Sequence, residues 1–357
     1  MINKEEIFFY QNNNFKLNTV KTSQYPIFIS HNEFEILLNS CTDIINQIFK
    51  KNIIKKNIEI LNQSISCDIN KKPHFLTIDF AYTEEGFKLV ELQAFPSVST
   101  SILHGLLYKK ELYKLPYELD KSFFLFQSYI DKNTVLLEYE PLKQKTLFDF
   151  EYNKKIFNLN FLCLKDIIFD NEIPYYFYNN QKIEIKKIYN RLIPHTLPIE
   201  LISNFNKLLN SKVEWFTHPD WFYIISKNTS LFLEHDSVPK TYLLDNFNFE
   251  DVNLNNYIAK PLFEFGGNGV IINLDNNNIK ELYNKNYIVQ EKINYKPIYF
   301  ENKNEPHYTE FRMMFLLNKN NEYQLFSSLN RINSTSVLNI KSMDNNPING
   351  ISFFVIK

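Results

Sequence analysis

Three of the chain's six glycines lie within four residues, at Gly266, Gly267 and Gly269. They follow Lys260-Pro261 and separate two apolar runs, Tyr257–Phe263 and Val270–Leu274. Glycine averages about 7% of a globular chain, and six in 357 residues is far below that. A chain so poor in glycine keeps it where the backbone must bend tightly or approach something closely. Apolar runs on both sides predict a β-hairpin with a flexible tip, not the strand-to-helix loop of a Walker or Rossmann site. The N–H groups of Gly266, Gly267, Asn268 and Gly269 can then cover a phosphate, with Lys260 adding a point charge at the base. An ordinary Asn-Gly turn has the same pattern, so its meaning depends on the motifs around it.

His74–Phe95 reads as a second hairpin, with strands His74–Tyr82 and Phe87–Phe95. A three-residue loop Glu84-Glu85-Gly86, with Gly86 left-handed, pairs Thr83 with Phe87. Asp79 then faces Glu91 and Thr77 faces Gln93, all four on one side of the ribbon. Two opposed carboxylates within apolar strands repel unless a cation lies between them. Oxygen ligands of this kind suit Mg²⁺.

Arginine is scarce. Only Arg191, Arg312 and Arg331 occur among 39 basic residues. Richness in Asn, Ile, Lys and Phe points to an AT-rich genome that drifts away from Arg codons. Arginines that survive mark places where a planar fork cannot be replaced by lysine. In Thr309–Leu317, period two sets Glu310 and Arg312 on one face and Phe311, Met313 and Phe315 on the other. Arg331 follows between Asn330 and Asn333. Lys240 lies in Val238-Pro239-Lys240-Thr241. The apolar strand from Asn286 breaks into Gln290, Glu291, Lys292 and Ile293, whose backbone is expected to be free to pair with the edge of an adenine.

Composition narrows the partners. A net charge of −1 and a pI of about 6.7 give no general field for nucleic acid. No uncharged apolar run approaches the roughly 20 residues of a membrane span, and the N-terminus does not read as a signal peptide. Cys41, Cys67 and Cys163 are odd in number, widely spaced and without zinc-site spacing. They fit a reduced cytoplasm. With 44% hydrophobic and 16% aromatic residues, the chain can fill a large core.

The expected fold class is α/β, in four stretches. Residues 1–70 are mainly helical, with an amphipathic helix over Glu33–Phe49. Residues 71–133 hold the carboxylate hairpin and a helix near Ser101–Lys114. Residues 134–225 alternate strands and helices, including a helix near Ile199–Leu209, as in a small α/β layer. Residues 226–357 are β-rich and carry the glycine hairpin.

Taken in order, these motifs resemble the ATP-grasp superfamily: Pro-Lys-Thr at Lys240, Lys260-Pro261 with a glycine flap, a Gln290-Glu291 strand, and a strand bearing Arg312. The carboxylates come before the lysines, so the chain is similar to the circularly permuted type found in the synthetase part of glutathionylspermidine synthetase. That family's Arg-x-Asp and Glu-x-Asn stand here as Thr77-x-Asp79 and Glu91-x-Gln93. The resemblance covers about residues 70–357. It implies an ATP-grasp fold in permuted order with a small Rossmann-like layer ahead of the nucleotide-binding part. It implies ATP and Mg²⁺, the metal held by Asp79, Glu91 and Gln93. Lys240 and Lys260 would bind phosphates and Gln290–Ile293 adenine. The implied reaction joins a small-molecule carboxylate to an amine through an acyl-phosphate, releasing ADP and phosphate. Arg312 would neutralise charge in the transfer, with Arg331 beside it, and Arg191 would grip a substrate carboxylate. A phosphotransferase on the same fold and a degenerate nucleotide-binding regulator are the rival classes. Glu264 stands where small residues are usual and is expected to point away from phosphate.

Overall fold

Ser30 and Glu33 begin the first long helix. The Ser30 N–H donates to Glu33 Oε2 at 2.7 Å and the Glu33 N–H to Ser30 Oγ at 3.2 Å, a reciprocal cap. The computed structural model describes residues 21–357 except 24, 51, 62–63, 97–99, 101–114, 116–117, 251, 302–303, 336–345 and 347. A short strand β1 (Ile27–Ile29) leads into helix α1 (His31–Lys50) and then α2 (Ile53–Ile60). Phe34, Leu37, Cys41, Ile44, Ile45 and Ile48 recur at helical spacing on the buried face of α1. Strands β2 (Phe75–Thr83) and β3 (Gly86–Gln93) form the carboxylate hairpin.

After α3 (Leu119–Gln127) the chain builds a parallel layer. It comprises β4 (Thr134–Glu138), α4 (Leu147–Phe157), β5 (Asn160–Cys163), β9 (Lys187–Asn190), α5 (Ile199–Leu209) and β10 (Glu214–Phe216). Between β5 and β9 sits a small antiparallel sheet of β6 (Ile168–Asp170), β7 (Ile173–Tyr178) and β8 (Gln181–Glu184). The parallel strands are ordered β10-β9-β4-β5. The chain steps one way from β4 to β5 and the other way from β9 to β10. The crevice between the carboxyl ends of β4 and β9 is therefore a topological switch point.

A one-turn helix α6 (Trp221–Ile224) leads to a second small sheet of β11 (Thr241–Leu243), β12 (Tyr257–Pro261) and β13 (Tyr287–Glu291), ordered β11-β13-β12. Helix α7 (Asn276–Leu282) packs Ile279 and Leu282 against Ala259 and Val289 of that sheet. The chain ends with β14 (Tyr308–Leu317), β15 (Tyr323–Asn333), β16 (Gly350–Ser352) and β17 (Phe354–Ile356). The central sheet is antiparallel and ordered β16-β15-β14-β2-β3. One face sends Ile78, Phe80, Phe311, Met313 and Phe315 into a core shared with α1. At one end of the other face, Phe75, Met314 and Leu316 pack with Phe126 of α3. Its other end carries charge.

Strands and helices fall close to their expected places, and Ile199–Leu209 is helical over the whole expected span. Two details differ. Val270–Leu274 forms no strand; the return arm of the glycine hairpin is a single bridge from Ile271 to Ala259. The carboxylate hairpin turns through two residues, with Thr83 opposite Gly86 rather than Phe87. The first twenty residues of the expected helical stretch, and the helix expected near Ser101–Lys114, lie outside the described residues. Among the described residues no helix is long and apolar enough to cross a membrane.

Candidate functional site

The shorter turn moves the hairpin by one residue, and a bulge moves it back. Phe80 lies opposite Leu89 while Asp79 lies opposite Glu91, so Val90 is the extra residue. Beyond the bulge Thr77 faces Gln93. Asp79, Glu91, Thr77 and Gln93 thus share a face, through a different local geometry from the expected one. The bulge also frees the Val90 carbonyl, which accepts a hydrogen bond from Lys260 Nζ at 3.0 Å.

The neighbouring strand puts arginine beside Asp79. Arg312 lies opposite Asp79, and Arg331 on β15 lies opposite Glu310. Arg312 donates through Nε to Asp79 Oδ1 at 2.7 Å and through Nη2 to Oδ2 at 2.6 Å. Arg331 Nη2 reaches the same Oδ2 at 2.5 Å and Glu310 Oε2 at 2.7 Å. Tyr295 Oη donates to Glu310 Oε1 at 2.6 Å. Burial pushes the Asp79 carboxyl up, but Arg312 and Arg331 together outweigh it and hold the group below its ordinary value. At Glu310 burial wins over Arg331 and the carboxyl is raised.

Lysines complete the cluster. Lys227 Nζ lies 2.9 Å from Glu91 Oε1 and donates to the Glu264 carbonyl in the glycine loop. Burial and the neighbouring Asp79 raise Glu91, but Lys227, helped by Arg312, holds it below its ordinary value. Lys260 donates to Gln290 Oε1 at 2.7 Å, and Gln290 Nε2 donates to Thr241 Oγ1 at 2.9 Å. Burial brings the Lys260 ammonium down to about 8, against the opposing pull of Glu91. Lys240 is exposed and lies 3.7 Å from Glu291 Oε1. Gly266, Gly267 and Gly269 all have positive φ, at 63°, 74° and 69°. Glu264 turns its side chain to Asn268, which donates to Oε2 at 3.2 Å. The Glu291 N–H donates to the Lys240 carbonyl and the Lys292 N–H to that of Asn256. The N–H groups of those two expected adenine contacts are therefore already engaged, and Ile293 follows them beyond the end of β13.

The donor set admits a hard cation in part. Asp79 is 1% exposed and takes three hydrogen bonds from two guanidiniums, leaving about one of its roughly four lone-pair positions. Mg²⁺ demands near-octahedral oxygens and would meet both guanidiniums there, so Asp79 does not fit it. Glu91 and Gln93 carry oxygens of the kind such an ion takes. They stand two apart on one strand face, and among the described residues Glu91 accepts from Lys227 alone.

Arg191 stands apart from this cluster. It follows β9 at the switch point, where its N–H donates to the Leu137 carbonyl at 2.8 Å. The parallel register places Glu138 beside it. Arg191 donates to the Pro96 carbonyl and to Thr146 Oγ1 at 3.4 Å, and its buried Nε meets no partner among the described residues. Burial pushes Glu138 up to about 7, with Arg191 opposing. Sequence reasoning passed over Glu138 and Lys227. Glu138 ends an apolar strand at Thr134–Glu138, a signal that could have been read. Lys227 offers none, because its partner is 136 positions away.

The chain is similar to a solved structure of a glutathione synthetase-like effector from Globodera pallida in its apo form. The two are 11% identical with a TM-score of 0.51, over 88% of this chain and 87% of that one. At that identity the likeness is one of fold. No protein-family model matches the chain, and no curated protein does.

Proposed function

We propose that the chain is an ATP-dependent ligase joining a carboxylate to an amine on an ATP-grasp fold in permuted order. The observation that carries this reading is Lys260. It leaves the strand leading into the glycine turn and reaches the bulge carbonyl of Val90, next to Glu91. One side chain thereby links the glycine turn to the carboxylate hairpin, and the charged cluster between them carries more cations than anions. Lys227, Lys260, Arg312 and Arg331 there face Asp79, Glu91 and Glu310.

In this reading the nucleotide's phosphates lie under the 266–269 turn. Lys260, with Lys240 at the rim, supplies positive charge to them. Glu91 and Gln93 would hold the divalent cation, which when bound neutralises phosphate charge. Asp79 fixes the planes of Arg312 and Arg331, so both guanidiniums are oriented before charge develops on the transferred phosphoryl group. The substrate carboxylate attacks the γ-phosphorus and ADP leaves; the amine then attacks the acyl carbon and phosphate leaves. Arg191 at the switch point suits the substrate's carboxylate.

The test is incubation of the full chain with Mg²⁺-ATP and pools of carboxylates and amines. Release of ADP and phosphate that requires both pools is expected. A phosphorylated acceptor formed without any amine would convert the reading to a phosphotransferase. A melting temperature unmoved by Mg²⁺-ATP would remove nucleotide binding altogether.

A further inference from the structure

The fold gathers a second set of ligand-type side chains in a place the proposed reaction does not use. The ligand atoms of Cys67, His218 and Asp220 all lie within 4.8 Å of one another. Cys67 precedes β2; His218 and Asp220 lie in the turn between β10 and α6. More than 150 positions separate the thiol from the other two, so no spacing in the sequence announces the group.

The surroundings resemble a built site. Asp220 is buried, and its Oδ2 accepts from Ser66 N–H at 2.7 Å, Ser66 Oγ–H at 2.9 Å and Cys67 N–H at 2.9 Å. Such hydrogen bonds orient a ligating carboxylate and leave Oδ1 for the ion. His218 Nδ1 lies 3.4 Å from Asp220 Oδ2, so a proton on Nδ1 leaves Nε2 as the ligating lone pair. In the other tautomer Nδ1 accepts from the Asp220 N–H at 3.2 Å. The Trp215 ring lies edge-on to the imidazole, with centroids 5.3 Å apart. Stapling of the loop by Asp220 explains that carboxylate alone; it does not account for a thiol and an imidazole converging on it.

We propose that Cys67, His218 and Asp220 form a zinc-type divalent cation site that pins the segment ahead of β2 to the turn after β10. Thiolate, imidazole and carboxylate together favour Zn²⁺ over Mg²⁺. Tetrahedral Zn–S and Zn–N bonds put sulfur and nitrogen about 3.5 Å apart, so rotamer adjustment closes the group. Water would fill the fourth position. Binding releases the Cys67 thiol proton and the ion's displaced hydration waters to solvent, and breaks no other bond in the protein.

The full chain, stripped of metal, is titrated with Co²⁺ and separately with Zn²⁺. One Co²⁺ per chain with a thiolate-to-cobalt absorption band is expected, displaced by Zn²⁺. Zn²⁺ is also expected to raise the melting temperature in the absence of nucleotide, where Mg²⁺ does not. Cys67→Ser abolishes the band, and His218→Ala weakens Co²⁺ binding at least tenfold. Cys41 and Cys163 are both buried, and among the described residues neither belongs to such a group. A wild-type chain that takes up Co²⁺ without a thiolate band overturns the proposal, as does one that takes up none. A band that survives intact in a folded Cys67→Ser protein does so too, as does an unchanged Co²⁺ affinity in a folded His218→Ala protein. None of these readouts depends on ligase activity.

Discussion

At the scale of single residues, Asp79 decides between two accounts of the central face. A metal ligand must offer its oxygens, whereas Asp79 has given them to Arg312 and Arg331. Asp79→Asn removes the charge that compensates two largely buried guanidiniums. Breaking a buried pair of this kind costs about 3–5 kcal/mol, read by chemical denaturation, while the Mg²⁺ concentration for half-maximal ADP release stays put. The reverse pattern, normal stability with a tenfold higher Mg²⁺ requirement, would make Asp79 a ligand after all. Lys260 gives a pH signature. Its value of about 8 lies well below the ordinary 10.5 because burial disfavours the ammonium. The phosphate-binding ammonium is nearly complete only about one pH unit below 8 and half lost at about 8, so nucleotide affinity in titration calorimetry falls as pH rises through that value. Stability of the free protein moves the other way. The buried ammonium costs free energy below pH 8, and that cost is relieved as pH climbs towards 10.5. Lys260→Arg should flatten the affinity profile. At this scale the sequence was informative wherever a residue's neighbours were local. Strand period put Asp79, Glu91 and Gln93 together on one face. It could not show that the second arginine on Asp79 would come from β15, or that Lys227 would seat on Glu91.

Turns and bulges are the elements where sequence reasoning and structure part. Glu84-Glu85-Gly86 is compatible with a two- or a three-residue turn, and nothing in Phe87–Gln93 marks Val90 as a bulge. The two differences cancel at Asp79, because a bulge adds the residue that the shorter turn omits. The glycine turn and Gly350 test how glycine is used. All have positive φ, but a Cβ on Gly266 meets nothing within 4 Å. Gly266→Ala should therefore cost only the left-handed backbone penalty, about 1–2 kcal/mol, paired with weaker nucleotide binding. A Cβ on Gly350, at φ 147°, meets the Lys21 carbonyl oxygen and the Ser23 nitrogen at 2.7 Å. Those atoms belong to a backbone that also bonds Ile351, so they cannot yield cheaply. Gly350→Ala is expected to lower the melting temperature more than Gly266→Ala. Equal effects would mean that the approach of residues 21–23 to β16 is loose.

Across the whole molecule, the central sheet draws β2 and β3 from one end of the sequence and β14 to β16 from the other. The order of motifs could be read without the structure, because each element carries its own chemistry. How they assemble could not, since strands more than two hundred positions apart are matched by side-chain fit rather than by any local signal. Phe354 is the test of that assembly. Its strand pairs in parallel with β1, Ile27 opposite Phe354, and its ring lies 6.2 Å from Phe34 of α1 and 5.4 Å from Phe311 of the central sheet. It is 1% exposed. Phe354→Ala opens a cavity where the N-terminal helix, the C-terminal strand and the central sheet meet, at a cost of about 3–5 kcal/mol. If these parts form one cooperative unit, fluorescence and circular dichroism will report the same, lower midpoint in denaturant. If helix α1 is instead an independent layer, the helical signal will be lost first and the sheet's midpoint will stay where it was. That outcome would mean the core beneath α1 adds nothing to the sheet that carries Asp79 and Arg312.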